Sequence, residues 1–428
     1  MRAAVNILLD FSDGIYYNIP KREEVSRCME YPMQVKTVSE ILAAAGFDAY
    51  IVGGSLRNIM MGKEPHDWDM TTSALPGETV RIFEAKGFHV IKTGLKHGTV
   101  TVIADRLPIE ITTFRIDGSY TDARHPDNVS FTRNLGDDLS RRDFTVNAMA
   151  MSVTGTDEGR IIDLFGGRND LENRLLRCVG DPEKRFREDA LRILRAFRFV
   201  SEHGFDIEEK TFEAIKKERG GLEKISRERI FSELSRILVG NFAEKALSLL
   251  SECEVVKYIT LSDCEISPTL ATSLPKHIEV RLAAFLSSLD RAADVLSSLK
   301  VSNATRSAVL RLLSVCTREM KCSKKAARKF ICDFGELSDD ALCLAGVLGK
   351  ADDGFAELVL RVNKEDFPRT VSELALNGGD LASLGARGKE IGAILALLFD
   401  RVLDDPKLND RNTLLTLAGE ELRKTEDK

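Results

Sequence analysis

Asp67 and Asp69 stand one residue apart in Asp67-Trp68-Asp69, a short way after Gly53-Gly54-Ser55-Leu56-Arg57. On an extended chain, residues two apart point to the same face. A third acid, Glu110, interrupts the otherwise apolar and Thr-rich run Pro108-Ile109-Glu110-Ile111-Thr112. A carboxylate in such a run is costly unless it meets a cation or hydrogen-bond donors. Three carboxylates on two neighbouring strands can hold two divalent ions side by side. Such ions activate an attacking hydroxyl and stabilise a leaving pyrophosphate. Hard oxygen ligands and a phosphate substrate suit Mg²⁺. Gly53 and Gly54 let the backbone come close to a phosphate, and their N–H groups can cradle a triphosphate. Arg57 can add a charge-assisted contact. The chemistry these residues suggest is nucleotidyl transfer. Each piece alone has a plainer reading: a solvated acid pair, a tight strand-to-helix turn, a surface ion pair.

Two further groups fit a nucleotide. In Arg141-Arg142-Asp143 the arginines suit phosphates and the aspartate can accept from a ribose hydroxyl. The same residues also read as a surface salt-bridge cluster. In Glu188-Asp189-Ala190-Leu191-Arg192, Asp189 and Arg192 are three apart, which on a helix puts them on one face. An intrahelical ion pair is the commonest meaning of that spacing. The functional alternative lies in base-edge chemistry. Cytosine and adenine each present an exocyclic amino donor beside a ring-nitrogen acceptor, which a carboxylate and a guanidinium can satisfy. Uracil and guanine present the reverse order. One Asp/Arg pair could accept C and A and reject U and G, acting as a protein template. Arg185, Arg187, Arg195 and Arg198 extend the same stretch, and Arg227 and Arg229 open the next helix. They form either a solvated face or a track for an RNA backbone.

The elements that must position these groups fall into two patterns. Up to about Asp163, strand and helix signals mix. Ala49–Val52 reads as a strand, Leu56–Met61 as a short helix after the Gly-Gly turn, and Thr79–Lys86 as a helix. Thr99–Ala104 and Pro108–Phe114 read as a hairpin across Asp105-Arg106. Phe144–Met151 is expected to start helical and lead into Ile161–Asp163. This is an α+β head with a mixed or antiparallel sheet. From Asp181-Pro182, a cap followed by a first-turn proline, the chain reads as helix after helix: Phe186, Ala190, Ile193, Leu194 and Phe197 recur at helical spacing. Helices are expected near 225–239, 242–250, 278–289, 304–317, 326–334, 341–347, 355–362 and 389–403. The expected domains are an extension over 1–30 of unassigned role, a catalytic head over 31–163, a neck with the base-reading motif over 164–222, a body over 223–320 and a tail over 321–428.

Bulk properties exclude several classes. A chain of 428 residues with 43% hydrophobic and 30% charged residues is ordinary for a globular protein of two or more domains. No apolar run is long enough to span a membrane, and Met1–Ser12 lacks a convincing signal-peptide core. Eight cysteines show no CxxC pair or zinc spacing, which fits reduced thiols in a cytoplasmic protein. The six histidines form no metal cluster, and His97 sits in a turn before a strand. The net charge of −6 argues against a nucleic-acid partner only in total. Between Arg174 and Arg198 basic residues outnumber acidic ones, so a local basic groove is compatible with it.

Taken as an ordered set, these motifs resemble the class II, bacterial-type tRNA nucleotidyltransferases, the CCA-adding enzymes of the poly(A) polymerase superfamily. The resemblance covers roughly residues 40 to 240, through Gly53–Arg57, Asp67–Asp69, Glu110–Arg115, Arg141–Thr145 and Glu188–Arg192. It implies a polymerase-β-like head followed by a helical neck, body and tail. It implies that Asp67 and Asp69 bind both metal ions and Glu110 is the third catalytic carboxylate. Gly53, Gly54 and Arg57 would hold the triphosphate, Arg142 and Asp143 the incoming nucleotide, and Asp189 and Arg192 would read C and A, oriented by Glu188. The partners would be the tRNA 3′ end, CTP and ATP. Two positions depart from the family pattern: Asn58 follows Arg57 where aspartate is usual, and His125 stands where a second arginine is usual in Asp117–Pro126. That segment resembles a loop that CC-restricted forms of the family lack. Addition of A alone, poly(A) addition, and a silent RNA-binding protein on the same fold are the alternatives.

Overall fold

The computed structural model describes residues 31–117 and 129–426. The extension 1–30 and most of Asp117–Pro126, His125 included, lie outside the described residues. The chain divides into two compact units. The first runs to Glu233 and takes back Glu252–Tyr258; the second holds Leu234–Ser251 and Ile259 onward.

The first unit opens with α1 (Met33–Ala44), β1 (Ala49–Val52), α2 (Gly53–Met60), β2 (Trp68–Thr72) and α3 (Pro76–Ala85). Strands β3 (His89–Ile91), β4 (Thr99–Ala104) and β5 (Leu107–Thr113) follow, then β6 (Arg115–Asp117) and β7 (Val129–Phe131). After α4 (Leu135–Ser140) come β8 (Met149–Ser152) and β9 (Ile161–Asp163). Seven strands form one mixed sheet in the order β3-β4-β5-β2-β1-β8-β9. The β4–β5 hairpin turns at Asp105 and Arg106, both with positive φ (48° and 71°), as a two-residue primed turn requires. The pair β2·β5 is parallel and sets Asp69 level with Glu110. Two acids from separate strands thus become neighbours through register alone.

Local structure differs from expectation at three places. Gly53 and Gly54 form the first turn of α2 itself, with Val52 as an extended N-cap. Phe144–Met151 gives one 3-10 turn at Thr145–Asn147 before β8. The neck stretch is broken: α5 (Gly167–Glu172) and β10 (Leu175–Leu176) precede α6 (Pro182–Glu188), which stops at Asp189, and α7 (Leu191–His203) then starts anew. Asp189 is extended (φ −147°, ψ 102°), and its carboxylate accepts from Leu191 N at 3.0 Å. The side chain restarts the helix as a cap does. Asp181 caps α6 on Glu183 N at 3.0 Å, and α7 ends at the left-handed Gly204, as read from the sequence. The two-residue strand β11 (Asp206–Ile207) pairs with β10, and α8 (Glu209–Glu218) and α9 (Arg227–Val239) follow. Phe144 meets Phe199 of α7 edge to face at 5.4 Å, in the core under the 3-10 turn.

The second unit is helical among its described residues. Buried Leu381, Ile394, Leu398, Val402 and Leu414 form a core near its end. Two buried arginines pin its backbone. Arg281 donates to the carbonyls of Leu238, Leu274 and Pro275, and Arg328 to those of Leu403 and Asp404. Seven cysteines fall within the described residues, all as free thiols.

Candidate active site

The glycines and the first acids are assembled around α2. Helix N-termini leave their first N–H groups without intrahelical partners, and no side chain caps this one. Gly53 has φ +64°, and a Cβ there would meet Arg142 Nη1 at 3.2 Å and Asp69 Oδ2 at 3.7 Å. Only glycine suits both the backbone and the space. Gly53, Asp69 and Arg142 therefore border one point at the helix start. Ser55, which the sequence reading passed over, ties the acids to it. Its hydroxyl donates to Asp67 O at 2.9 Å and accepts from Asp69 N at 2.8 Å. A buried serine bridging the DxD backbone leaves no signature beyond its place in the glycine motif.

Asp67 and Glu110 are exposed. Asp69 is partly buried, and its carboxyl is raised to about 6 by that burial, by Glu110 and, to a lesser degree, by Asp67; Arg142 and Arg57 pull the other way. A cation would relieve this crowding of negative charge. Among the described residues, no three carboxylate, imidazole or thiol side chains are gathered as a closed cage, so the expected three-acid cluster is not preformed. Mg²⁺ ordinarily takes one or two carboxylates and completes its shell with water and substrate phosphates. An open, anionic Asp67/Asp69/Glu110 edge beside a helix N-terminus suits that mode.

Arg57 is placed differently from the expectation of a direct phosphate contact. It is 8% exposed, donates to Asn147 Oδ1 at 2.6 Å and Asn58 Oδ1 at 3.2 Å, and lies 5.0 Å over the Phe199 ring. Burial pulls its guanidinium down to about 10. Its donors brace the interior. Asp143 is likewise taken up within the protein. It accepts from Phe144 N, Asn147 Nδ2 and twice from Arg195. Burial raises its carboxyl, but Arg195 outweighs that and holds it well below the usual range. A carboxylate with these four donors has little left for a ribose.

The side chains of Asp189 and Arg192 do not pair with each other. Arg192 Nη1 donates to Glu188 Oε2 at 2.7 Å and to Arg185 O at 3.0 Å, and its Nη2 donates to Arg141 O at 3.2 Å. Asp189 Oδ2 accepts from Arg229 Nη2 at 2.7 Å. The break at Asp189 turns its carboxylate toward α9, while Arg192 is held by the helix before it. The arginines expected on an RNA track also have internal partners. Arg195 serves Asp143. Arg198 is 8% exposed and faces Glu233 at 3.2 Å. Arg227 donates to Tyr258 O at 2.7 Å, and Arg229 holds Asp189. Burial removes Arg198 from any surface track. Arg195, Arg227 and Arg229 are half-buried and brace the fold, while Arg187 is exposed and pairs with Glu183 and Glu218.

The head-domain model of poly(A) polymerases matches residues 49–177, and the model described as the probable RNA- and SrmB-binding site of polymerase A matches 204–262. The CCA-adding enzyme of Lactococcus lactis subsp. cremoris is 38% identical over 396 residues, covering 90% of this chain and 95% of that one. The chain belongs to the CCA-adding enzyme family. The CCA-adding enzyme of Leuconostoc citreum is 36% identical, with 91% of this chain and 96% of that one covered. The Bacillus stearothermophilus CCA-adding enzyme, solved in complex with CTP, superposes with a TM-score of 0.78 at 31% identity over 93% of this chain and all of that one. The family is thus matched well past residue 240, where the sequence motifs give out. The fold is the family's α+β head with helical parts after it. Among the described residues no helix is long and apolar enough to cross a membrane.

Proposed function

We propose that this chain adds C, C and A to the 3′ end of tRNA from CTP and ATP, without a nucleic-acid template. The observation that carries the reading is the shared border of Gly53, Asp69 and Arg142 at the start of α2, with Glu110 in register beside Asp69. It offers anion-binding N–H groups, a guanidinium and an under-neutralised acid edge at one place. In the reaction the 3′-hydroxyl of tRNA gives up its proton to water and its oxygen bonds to the α-phosphorus. The bond from that phosphorus to the bridging oxygen breaks, and pyrophosphate leaves. Asp67, Asp69 and Glu110 would hold Mg²⁺, which when bound supplies charge neutralisation on the phosphates and a more acidic attacking hydroxyl. Gly53, Gly54 and Arg142 receive the triphosphate. Arg57 and Asp143 keep the surrounding loops in place through Asn147, which both of them contact. Asp189 and Arg192 read the amino group and ring nitrogen of C and A, with Arg229 and Glu188 fixing their directions.

The head, neck, body and tail boundaries at 163, 222 and 320 serve as working divisions, the body and tail taking the tRNA. The compartment is the cytoplasm, in keeping with the free thiols. The test uses purified protein, Mg²⁺ and three tRNA transcripts: one lacking CCA, one ending in C-C, one complete. Three, one and no additions from CTP plus ATP are expected. Activity on the C-C end alone would make it an A-adding enzyme, long A tails a poly(A) polymerase, and no addition a silent RNA-binding protein.

A further inference from the structure

We propose that Asp138 is a positioning residue that locks the phosphate side and the base side of the site into one register. The inference rests on the reading of the site as a nucleotide site. Asp138, in α4, is 0% exposed. Its Oδ1 accepts from Arg141 Nε and Nη2 at 3.0 and 2.6 Å, and its Oδ2 from Arg142 Nη2 at 3.0 Å. The Thr71 hydroxyl, two residues beyond Asp69 on β2, lies 3.3 Å from the same Oδ2. Burial raises this carboxyl, but Arg142 and Arg141 more than offset it and hold it low.

Both ends of the nucleotide site hang on this one anion. Toward the phosphates, the other nitrogen of Arg142, Nη1, borders Gly53 beside Asp69. Toward the base, the carbonyls at the end of α4 act as supports. Ser140 O accepts from Arg185 at 3.3 Å and Arg141 O from Arg192 at 3.2 Å. Arg185 and Arg192 share Glu188. A six-residue helix has little rigidity of its own, since isolated short helices are marginal. The buried carboxylate and its two guanidinium forks supply it. An amide in its place would offer one acceptor oxygen and no charge.

The test is Asp138→Asn. The Michaelis constants for CTP and ATP are expected to rise at least about tenfold, the scale of one charge-assisted hydrogen bond. Incorporation of U and G relative to C and A is expected to rise as well, with tRNA affinity unchanged. Combined with Arg142→Lys, the effects on KM should be less than multiplicative, because Asp138 acts through Arg142. A folded Asp138→Asn with unchanged KM and base choice, or fully multiplicative effects, overturns the proposal. If circular dichroism shows that Asp138→Asn does not fold, Arg141→Lys carries the test. It keeps a positive charge but loses the two-nitrogen grip, and should shift KM and base choice the same way by less. Unchanged values there overturn the proposal too. Wild-type protein that neither binds CTP nor extends tRNA would sink the functional reading and this inference with it. An active wild type with indifferent variants sinks this inference alone.

Discussion

Asp69 and Asp189 are both carboxylates next to arginines, and the molecule treats them in opposite ways. Burial and, after it, the charges of Glu110 and Asp67 raise the Asp69 carboxyl to about 6. Asp189 is closed by Arg229 at 2.7 Å and by the Leu191 amide. The acid edge at Asp69 is left short of positive charge, which a divalent cation can supply. The base side is satisfied internally, so its geometry exists before any base arrives. On the proposed reading, one half of the site keeps an electrostatic deficit for the chemistry, and the other keeps a fixed shape for selection.

The largest break in this contrast is Asp69→Ala or Asp67→Ala. Either should lower nucleotide transfer about a hundred- to a thousandfold, the scale of removing an electrostatic stabiliser of a transition state, with tRNA binding retained. Single-turnover extension and filter binding check this, and near-normal transfer would remove the metal assignment. Asp69→Asn carries a second expectation. Above pH 6 the folded protein holds an ionised Asp69 at a cost that the unfolded chain does not bear. Below about pH 4 the group is protonated in both states and the cost is gone. The substitution should therefore raise the melting temperature at pH 7. The gain is at most about 3 kcal/mol from the linkage relation, less for its partial exposure. It should fade as pH falls from 6 to 4.

Selection comes next in size. Asp189→Ala should let U and G in, weakening discrimination by roughly ten- to a hundredfold, the worth of a charged hydrogen bond. Arg229→Met should do the same to a smaller degree, since it frees Asp189 without deleting it. Competition assays with paired nucleotides measure both. A variant of Asp189 that still takes only C and A would end the template reading.

The deficit at Asp69 also sets a pH dependence. Its ionised fraction falls as pH drops through about 6, while a bound cation favours the ionised form. Mn²⁺ or Mg²⁺ affinity, measured by titration calorimetry, should weaken about fivefold for the first unit below that pH, with proton release on binding. Affinity that is flat between pH 7.5 and 5 would show that Asp69 does not ligate the ion.

Much of the site's composition was legible because acids, glycines and arginines sit in sequence-local motifs. The strand Ala49–Val52 and the Asp105-Arg106 hairpin followed from β-branched runs and a tight connection. What escaped was set by contacts between distant segments. The pairing of Asp189 with Arg229 joins residues 40 apart in sequence, and nothing in Glu188–Arg192 announces it. The break at Asp189 was hidden because apolar residues on both sides keep helical spacing, although an aspartate two residues before a helix start is itself a capping signal. Arg198 looked like surface because arginines usually are. Its burial depends on Glu233, from a different helix. Helices α1 and α8, both within the first unit, carry no motif of the site and were not read from the sequence.

The smallest expected effect concerns Asn58, where the family usually has aspartate. Its Oδ1 accepts from Arg57 Nη2 at 3.2 Å, and Arg57 is a buried guanidinium whose charge is disfavoured by that burial. Asn58→Asp would turn a neutral acceptor into a charged one. The gain should be about 1 kcal/mol in unfolding free energy at pH 7, the margin of a charged over a neutral hydrogen bond. It should be lost as pH falls below the ordinary carboxylate range, because a paired aspartate stabilises only while ionised. Transfer rates should change by less than about twofold, since the hydrogen bonds of Arg57 go to Asn147 and Asn58 and its guanidinium lies over Phe199. Urea unfolding at pH 7 and pH 3, with extension assays alongside, reads both. A large rise in activity without a gain in stability would return Arg57 to the triphosphate and place Asn58 in the chemistry.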